Sequence, residues 1–311
     1  MPYSLNISGQ LMDLSTPQVM GILNVTPDSF YAGSRTQTEQ QIARRVRTII
    51  DEGGTIIDVG ACSTRPGSSP VSEEEEMTRL RMALPIIRKI QEETLRSAQR
   101  DASTTLNSQI SNLNSQISNL NSQISNLNSQ FSNLNPQISL DTFRPTVARM
   151  AVEEYGVGII NDVSEGSADM FRMVARLGVP YVLMSVQPDL RQTLLTFAEK
   201  IQQLRDLGQK DIILDPGFGF GKTLEQNFAL LREMEKLLVL DLPLLVGLSR
   251  KSMIYKTLGC TPDEALQGTT VLHTVALMKG ASILRVHDVK AARECCQLIS
   301  PLKELCSCNS V

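Results

Sequence analysis

Eight short apolar runs are spread along the chain, and they constrain its fold more than any other feature. Most of them are rich in Val, Ile and Leu and do not alternate with polar residues, which is typical of strands buried on both faces of a parallel sheet. The runs span residues 19–23, 55–59, 138–140, 158–160, 181–184, 212–214, 244–246 and 282–284. The sequence therefore predicts eight buried parallel strands.

Amphipathic stretches of helical length lie between these runs. They span residues 40–52, 74–92, 145–155, 169–177, 194–207, 223–238, 262–279 and 290–305. Regular alternation of strand and helix is typical of α/β proteins. Setting aside the 32 residues of a repeat at 106–137 leaves 279 residues, close to the size of about 250 that is typical of a (β/α)8 TIM barrel. We predict one barrel domain over residues 1–311, with an open doubly wound sheet as the structural alternative.

The segment from Leu106 to Ile138 repeats the heptad Leu-Asn-Ser-Gln-Ile-Ser-Asn. Its four-then-three spacing would place Leu and Ile on one side of a helix, but Asn, Ser and Gln at most other positions have weak helix propensity. The inserted repeat at 106–137 is therefore either a projecting coiled coil or a disordered expansion of a surface loop. It follows a helix that we expect to end near Thr94. It would then lie in a helix-to-strand loop, on the rim of the barrel opposite the strand ends.

Polar residues follow nearly every predicted strand, at the point where the strand ends. They are Asn24, Asp141, Asn161, Ser185, Asp215, Ser249, Arg285 and His287. In a (β/α)8 barrel the carboxyl ends of all strands converge on one rim, which is where barrel enzymes place their active sites. These side chains are therefore predicted to form one site.

Composition excludes several classes of protein. With 30 Lys and Arg against 33 Asp and Glu, the formal charge of −3 provides no long-range attraction to nucleic acid. No apolar stretch reaches the roughly 18 residues of a membrane span, and the first residues lack the layout of a secretory signal, so we expect a cytoplasmic protein. We interpret the cysteines as free thiols rather than a disulfide framework or a zinc site. They are Cys62, Cys260, Cys295, Cys296, Cys306 and Cys308.

A glycine-rich segment, residues 217–223, follows the strand that ends near Asp215. It lacks the first glycine of a phosphate-binding loop, where Pro216 stands, and its glycine spacing differs from a dinucleotide fingerprint. A glycine-rich turn that brings backbone close to a flat ligand fits the segment, with Phe218 or Phe220 as an apolar wall. For Lys222 we expect a solvated surface position.

Seven motifs occur in the order found in dihydropteroate synthases, and the chain resembles that family over nearly its whole length outside the repeat. The motifs are Asn24-Val-Thr-Pro-Asp-Ser-Phe30, Ser63-Thr-Arg-Pro-Gly67, Asp141-Thr142, Asn161-Asp162, Asp215-Pro-Gly-Phe-Gly-Phe-Gly-Lys222, Ser249-Arg-Lys-Ser252 and Arg285-Val-His-Asp288. The resemblance implies a homodimeric TIM barrel that condenses (7,8-dihydropterin-6-yl)methyl diphosphate with 4-aminobenzoate, releasing diphosphate and forming 7,8-dihydropteroate for folate synthesis.

The resemblance also implies roles for individual residues. The pterin diphosphate would be bound by Thr64, Asp141, Asn161, Asp215, Lys251, Arg285 and His287. The 4-aminobenzoate would be bound by Pro27, Asp28, Thr64, Arg65, Pro66, Phe220 and Lys251, where sulfonamides would compete. A carboxylate is a natural acceptor for the guanidine-like 2-amino-4-oxo edge of a pterin, which suits Asp141 and Asp215.

Catalysis in this reaction consists mainly of stabilising the negative charge that develops on the departing diphosphate. By resemblance Lys251, Arg285 and His287 are the catalytic residues, and Asn24 supplies an oxygen ligand to Mg²⁺. The second histidine, His273, lies in the middle of a predicted helix, where we expect packing or surface exposure.

Some positions depart from the family pattern. Tyr31 and Ala32 replace the usual Ser-Asp of the first loop, Cys62 replaces a Glu or Gln, and Ser185 stands where a His is common. Two other interpretations are a corrinoid-type methyltransferase that binds a pterin, and an inactive barrel that acts as a scaffold through its heptads. The former would not need Thr64 to Pro66 or the Arg285 and His287 pair.

Overall fold

Eight parallel strands form a closed barrel, which confirms the predicted (β/α)8 TIM barrel. The computed structural model describes residues 3–25, 35–62, 71–110 and 135–308. Around the barrel the strands follow one another in chain order, and the last of them, Ala281–Val286, pairs with the first, Gln18–Asn24. Because the sheet closes on itself, the open doubly wound alternative is excluded.

Helices separate the barrel strands as the sequence predicts. The strands are β1 Ser4–Ile7, β2 Gln10–Asp13, β3 Gln18–Asn24, β4 Ile56–Gly60, β5 Gln137–Asp141, β6 Ile159–Asp162, β7 Tyr181–Met184, β8 Ile212–Asp215, β9 Leu244–Val246 and β10 Ala281–Val286. The helices are α1 Arg35–Asp51, α2 Glu73–Ile110, α3 Pro145–Tyr155, α4 Ala168–Leu177, α5 Leu190–Asp206, α6 Leu224–Arg232, α7 Ser252–Leu258, α8 Leu266–Met278 and α9 Val289–Cys308, with a 3₁₀-helix at Met234–Leu240.

Local sequence accounts for several helix boundaries. Helix α6 begins after Thr223, whose side chain accepts from the Gln226 N–H while the Gln226 side chain accepts from the Thr223 N–H, a capping box. Helix α3 begins with Pro145, a residue that the first turn of a helix tolerates, and ends at Tyr155. The next residue, Gly156, has a φ of 64°, a left-handed conformation that favours glycine. Helix α7 is a short helix that the sequence analysis did not predict.

The inside of the barrel is apolar at one end and polar at the other. Alternate residues of each strand point inward, and the amino-terminal halves contribute one buried cluster: Met20, Ile56, Ile159, Val182, Ile213, Leu245 and Ile283. Among the next inward positions towards the carboxyl ends, Asp58, Asn161, Asp215 and Arg285 are polar or charged, and Ser139 of β5 lies opposite Asp58 in the register. The apolar layer thus forms a floor beneath a polar mouth.

A β-hairpin made of β1 and β2 closes the amino-terminal end of the barrel. Leu5 and Ile7 of β1, together with Leu14, join the same apolar cluster as the floor residues. Their alternation with exposed Ser4 and Asn6 is typical of a strand with one buried face. Such a plug leaves the carboxyl ends of the strands as the open side of the barrel.

Helix α2 continues beyond the predicted end near Thr94 and reaches Ile110, so that boundary was wrong. Gln91 of this helix lies beside the start of β5, because its side-chain amide donates to the Pro136 carbonyl at 2.5 Å. The 19 further residues to Ile110 extend the helix by about 28 Å at 1.5 Å per residue. The first residues of the repeat, 106–110, are thus helical, and 111–134 lie outside the described residues, as does the choice between coiled coil and disorder.

Deleting residues 101–131 should leave the barrel folded. Residues 101–110 are the last part of α2, and the next described element, β5, begins on the rim opposite the polar mouth. Shortening a loop lowers the entropy cost of closing it, so we expect the free energy of unfolding to stay the same or rise by no more than about 2 kcal/mol. Urea denaturation would measure this. A clear fall in stability would mean that the insertion packs on the barrel.

Two expectations about the whole chain concern membranes and thiols. Among the described helices, none combines the length and the apolar character needed to cross a membrane. In the described part of the chain, no disulfide bond joins Cys62, Cys260, Cys295 or Cys296. The side chains of Cys306 and Cys308 lie outside the described part of the chain.

Candidate active site

One row of the barrel interior brings together residues from four consecutive barrel strands. In the parallel register Asn24 of β3 lies opposite Gly60 of β4, Gly60 lies opposite Asp141 of β5, and Asp141 lies opposite Asn161 of β6. All four are at the carboxyl ends of their strands, as the sequence predicts. The predicted ligands Asn24, Asp141 and Asn161 are therefore neighbours.

A guanidinium group lies between two buried carboxylates at the centre of this mouth. Arg285 Nε donates to Asp58 Oδ2 at 2.6 Å, and Arg285 Nη2 donates to Asp141 Oδ2 at 2.7 Å. The Asp58 side chain is completely buried, and Asp141 and Arg285 are 8% and 18% exposed. The sequence analysis missed Asp58, although it is the only charged residue inside the apolar run at 55–59.

The three charges of this cluster do not cancel, because two carboxylates share one guanidinium. Burial is the main cause that raises the pKa of the Asp141 carboxyl to about 7; Arg285 opposes this change, and the neighbouring Asp58 adds to it. Burial alone would lower the pKa of Arg285, but Asp58 and Asp141 outweigh it and raise that pKa, so Arg285 stays charged. The mouth of the barrel therefore favours a ligand whose edge donates hydrogen bonds.

Asn161 presents a hydrogen-bond acceptor that none of the described protein groups satisfies. Its Nδ2 donates to Asp58 Oδ2 at 3.1 Å, which fixes the orientation of the side-chain amide. Its Oδ1 is buried and has no hydrogen-bond partner within the part of the chain that the structure describes. A buried acceptor without a partner costs free energy, so this atom suits a donor on a bound ligand.

Asp215 lies on the other side of the mouth, where β8 leads into the glycine-rich loop. Its Oδ1 accepts from the Gly217 N–H at 2.8 Å. Burial raises the pKa of Asp215, and Lys251 is the strongest of the groups that lower it. A Cβ at Gly217 would lie 1.9 Å from the Ser185 carbonyl oxygen, so the loop passes too close to β7 for any other residue.

Lys222 holds this loop and is not the solvated surface residue that we expected. Its Nζ donates to the carbonyls of Ser185, Gly217 and Phe220 at 3.0, 3.1 and 3.3 Å. Because the loop passes close to Ser185, three carbonyl oxygens surround the Lys222 ammonium. A local sequence pattern does not reveal this arrangement. Burial lowers the pKa of Lys222 to about 8.

Lys251 lies beneath the loop, between Asp215 and Phe220. Its Nζ donates to the Phe218 carbonyl and lies 4.7 Å from the centre of the Phe220 ring. Burial lowers the pKa of Lys251 to about 8, and nearby Arg285 acts in the same direction. Of the two aromatic candidates, Phe218 is fully buried in the core, whereas Phe220 is half-buried at the mouth. Phe220 is therefore the residue that can form a wall for a ligand.

An ion pair joins the loops that follow β9 and β10. Arg250 Nε and Nη2 donate to the two carboxylate oxygens of Asp288 at 2.8 and 2.9 Å. The Ser249 hydroxyl accepts from the His287 N–H at 3.2 Å, and Arg45 donates to the His287 carbonyl at 2.7 Å. The last two hydrogen bonds fix the backbone at His287. The ion pair fixes Arg250, the residue that precedes Lys251. Arg250 and Asp288 lie within motifs quoted above, but the sequence analysis assigned no role to either.

The two histidines have the separate locations that the sequence predicts. His287 follows β10 on the same rim as Arg285. His273, for which we expected either packing or surface exposure, is buried in α8, and burial lowers its pKa to about 4.

Several predicted ligands of 4-aminobenzoate and pterin lie outside the described residues. They are Pro27, Asp28, Thr64, Arg65 and Pro66, together with the unusual Tyr31 and Ala32 of the first loop. Their roles stay predictions. Within the described chain, the mouth of the barrel combines Asn24, Asp141, Asn161, Asp215, Phe220, Lys251 and Arg285, with His287 following β10 on the same rim.

Asn24 is the residue through which a cation could be held. Asn24 Oδ1 and Asp141 Oδ2 both border Gly60, at 3.5 and 3.7 Å from the position where its Cβ would be. Amide and carboxylate oxygens suit a hard cation such as Mg²⁺. No group of three His, Cys, Asp or Glu side chains that could hold a metal occurs in the described chain. A cation at Asn24 would thus need further oxygen ligands from a substrate or from water.

Sequence comparison relates the chain to enzymes that bind pterins. A family model described as pterin binding enzyme matches residues 20–97 and 101–287. The dihydropteroate synthase of Escherichia coli K12 is 35% identical over 94% of this chain and 93% of its own length. The dihydropteroate synthase of Bacillus subtilis 168 is 34% identical over 88% of this chain and 84% of its own.

Solved structures of the same kind of enzyme share the fold. Dihydropteroate synthase from Xanthomonas albilineans with 4-aminobenzoic acid is 31% identical, with a TM-score of 0.78 over 97% of this chain and 99% of that one. The Thermus thermophilus enzyme in complex with 6HMPPP is 30% identical, with a TM-score of 0.72 over 96% and 100% of the two chains.

Proposed function

The chain belongs to the dihydropteroate synthase family of transferases, and on this premise we propose that the mouth of its barrel condenses (7,8-dihydropterin-6-yl)methyl diphosphate with 4-aminobenzoate. The products are 7,8-dihydropteroate, a precursor in folate biosynthesis, and diphosphate. The observation that carries the proposal is the position of Arg285 between Asp58 and Asp141. Carboxylates that accept from a guanidinium can also accept from the guanidine-like edge of a pterin.

The buried polar groups supply a complementary surface for the pterin ring. Asp141, Asn161 and Asp215 accept from the N–H groups of the pterin, and Lys251 donates to its oxygen and nitrogen acceptors. The Oδ1 of Asn161 supports this assignment, because it has no donor among the described residues and the ligand would bring one. Thr64 would add a further contact to the pterin diphosphate.

The reaction begins when the bond between the pterin methylene carbon and the bridging oxygen breaks. The electron pair leaves with diphosphate, and a resonance-stabilised cation stays on the pterin. The amine nitrogen of 4-aminobenzoate then attacks the methylene carbon and loses a proton to solvent. Positive charge at Arg285 and Lys251, together with a hydrogen bond from His287, stabilises the negative charge that develops on the diphosphate.

The 4-aminobenzoate site would combine Phe220 and Lys251 with residues of two motifs, Asn24 to Phe30 and Ser63 to Gly67. The ring of Phe220 and the ammonium of Lys251 lie 4.7 Å apart, so an aromatic acid could use the ring for packing and the ammonium for its charge. We place Pro27, Asp28, Thr64, Arg65 and Pro66 around the same substrate. Sulfonamides, which mimic it, would compete there.

Mg²⁺ fits this site as a cation held by Asn24 and by the diphosphate. When bound, it would supply positive charge to the leaving group. Asn24 and Asp141 provide oxygen atoms on both sides of Gly60, which is the donor chemistry that such a cation prefers.

We propose that the protein is a cytoplasmic homodimer. Helices α8 and α9 pack against each other and still expose large apolar side chains, Val271, Met278, Leu298 and Leu302. Val271 and Met278 are seven residues apart, on one face of α8. Such exposed apolar side chains support a contact with a second copy. Sedimentation equilibrium should therefore give twice the 34.3 kDa mass of the chain.

The decisive experiment measures diphosphate release with each substrate alone and with both together. We expect release only when pterin diphosphate and 4-aminobenzoate are both present, with dihydropteroate formed in equal amount. Release from pterin diphosphate alone at the same rate would indicate a hydrolase. Absence of pterin binding would favour the inactive scaffold. The similarity to the dihydropteroate synthases described above already favours the synthase over the corrinoid-type methyltransferase.

The pH dependence of kcat/KM for pterin diphosphate should be bell-shaped. Asp141 must lose its proton to accept from the pterin, so kcat/KM should fall below about pH 7, since the pKa of that carboxyl is about 7. Lys251 must keep its proton to donate, so the value should fall again above pH 8. In Lys251→Arg the alkaline limb should move upward, because a guanidinium stays protonated. An unmoved alkaline limb would assign it to Lys222 instead.

A further inference from the structure

Asp58 lies one layer below the row that contains Asn24, Asp141 and Asn161. It contacts Asn161 of that row and also Arg285. Its Oδ2 accepts from Arg285 Nε at 2.6 Å and from Asn161 Nδ2 at 3.1 Å. Its Oδ1 accepts from the Ser139 hydroxyl at 2.6 Å. The carboxylate thus uses both oxygens within the barrel and is itself fully buried.

The fold alone does not account for a charge at this position. A buried carboxylate loses its hydration, and replacing a buried ion pair by apolar side chains of similar volume is often neutral or stabilising. The neighbouring residues of β4 are Ile57 and Val59, which pack as fully buried apolar side chains. A carboxylate in the middle of this strand therefore needs a reason other than stability.

The reason lies in the competition between Arg285 and the pterin for Asp141. In the absence of substrate Asp141 accepts from Arg285 Nη2 at 2.7 Å. A pterin that donates to Asp141 uses the same acceptor and displaces that bond. Arg285 would then be a buried cation without a partner, unless a second carboxylate holds it.

We propose that Asp58 is a positioning residue that keeps Arg285 anchored through Nε and keeps the Asn161 amide in one orientation while Asp141 exchanges Arg285 for the pterin edge. This inference rests on the proposed function, because it assigns Asp58 a task in binding that particular ligand. With Nε held by Asp58, the Nη2 group released from Asp141 becomes available to the diphosphate. With Nδ2 held by Asp58, Asn161 directs Oδ1 to the ligand.

The test is Asp58→Asn, which preserves the size of the side chain and its acceptor for Ser139. We expect KM for pterin diphosphate to rise about 10- to 100-fold, the value of a charge-assisted hydrogen bond, and kcat to fall as well. KM for 4-aminobenzoate should change by less than about twofold. The reason is that the hydrogen bonds of Asp58 go to Arg285, Asn161 and Ser139, not to Phe220, which we assign to the 4-aminobenzoate site. Equal changes in both KM values would overturn the inference.

Asp162→Asn is the matched control. Asp162 is a fully buried carboxylate on β6, but it accepts from Ser164 and from the Tyr181 hydroxyl at 2.8 Å, not from Arg285. We expect both variants to lower the melting temperature, and only Asp58→Asn to weaken pterin diphosphate binding in calorimetry. If Asp162→Asn weakened that binding equally, a general loss of structure would explain both effects.

A double variant tests whether Asp58 acts through Arg285. Losses in pterin diphosphate affinity from Asp58→Asn and Arg285→Lys should not add, because each breaks the same contact. Fully additive losses would overturn the inference. The wild-type protein separates the two proposals: if it does not bind pterin diphosphate, the proposed function fails, and if it does, the comparison of the variants decides the role of Asp58.

Discussion

Replacing Asp215 by Asn is expected to weaken pterin diphosphate binding by about 100-fold or more. The variant keeps an acceptor for the Gly217 N–H, so the loop should retain its hydrogen bond. It loses the charged acceptor for the pterin N–H groups, and hydrogen bonds to charged groups contribute about 1.5 to 3 kcal/mol each. Calorimetric titration with pterin diphosphate measures the change directly.

Asp211→Asn is the control for this prediction. Asp211 directly precedes β8, so the two carboxylates flank opposite ends of the same strand. Its substitution should leave pterin affinity within about twofold, as expected for a change outside the site. Comparable binding by Asp215→Asn and wild type would remove Asp215 from the pterin site.

Replacing Arg285 by Met should abolish turnover and also destabilise the fold. Without the guanidinium, Asp58 and Asp141 are two unpaired carboxylates in one buried site, and such a loss costs about 3 to 5 kcal/mol. The size of the effect should depend on pH, because a protonated carboxyl carries no charge. Burial already raises the pKa of Asp141, and loss of Arg285, which opposes that change, should raise it further.

The sign of that dependence follows from proton binding. Between the unfolded pKa of about 4 and the raised folded pKa of Asp141, the unfolded state binds fewer protons, so stability falls as pH rises through this interval. The destabilisation by Arg285→Met should therefore be larger at pH 8 than at pH 5, as measured by urea denaturation at both values. Equal destabilisation at the two pH values would mean that lost packing, not unpaired charge, is responsible.

Arg88→Met provides a matched comparison on the opposite rim. Arg88 of α2 donates to the Tyr155 and Gly156 carbonyls, which are neutral acceptors. Its loss should cost about 1 kcal/mol at either pH, with turnover retained. Only the arginine between two carboxylates should link stability to pH.

The barrel could be predicted because its signal is local and repeated. Buried parallel strands need apolar residues on both faces, and each helix needs one apolar face, so the alternation is visible in the chain itself. The polar strand ends were equally visible. The register of the barrel then placed Asn24, Asp141 and Asn161 in one row, as their shared position at strand ends indicates.

Residues whose role depends on a distant partner could not be predicted. Asp58 is 227 positions from Arg285, and nothing near it in sequence indicates that a guanidinium reaches it. Lys222 resembles a surface lysine until the glycine loop and Ser185 surround its ammonium with carbonyls. The pairing of Arg250 with Asp288 likewise needs the loops after β9 and β10 to meet.

By itself the sequence determined the alternation of strands and helices, the polar rim and the type of ligand that such a rim suits, because backbone periodicity and side-chain chemistry are properties of short segments. Only the tertiary structure decided which charges share a cavity. Closure of the barrel places inward-facing residues of different strands within hydrogen-bond distance, and burial then raises the pKa of Asp141 and lowers that of Lys251. Such values depend on desolvation and on neighbouring charges, which exist only after the strands have met.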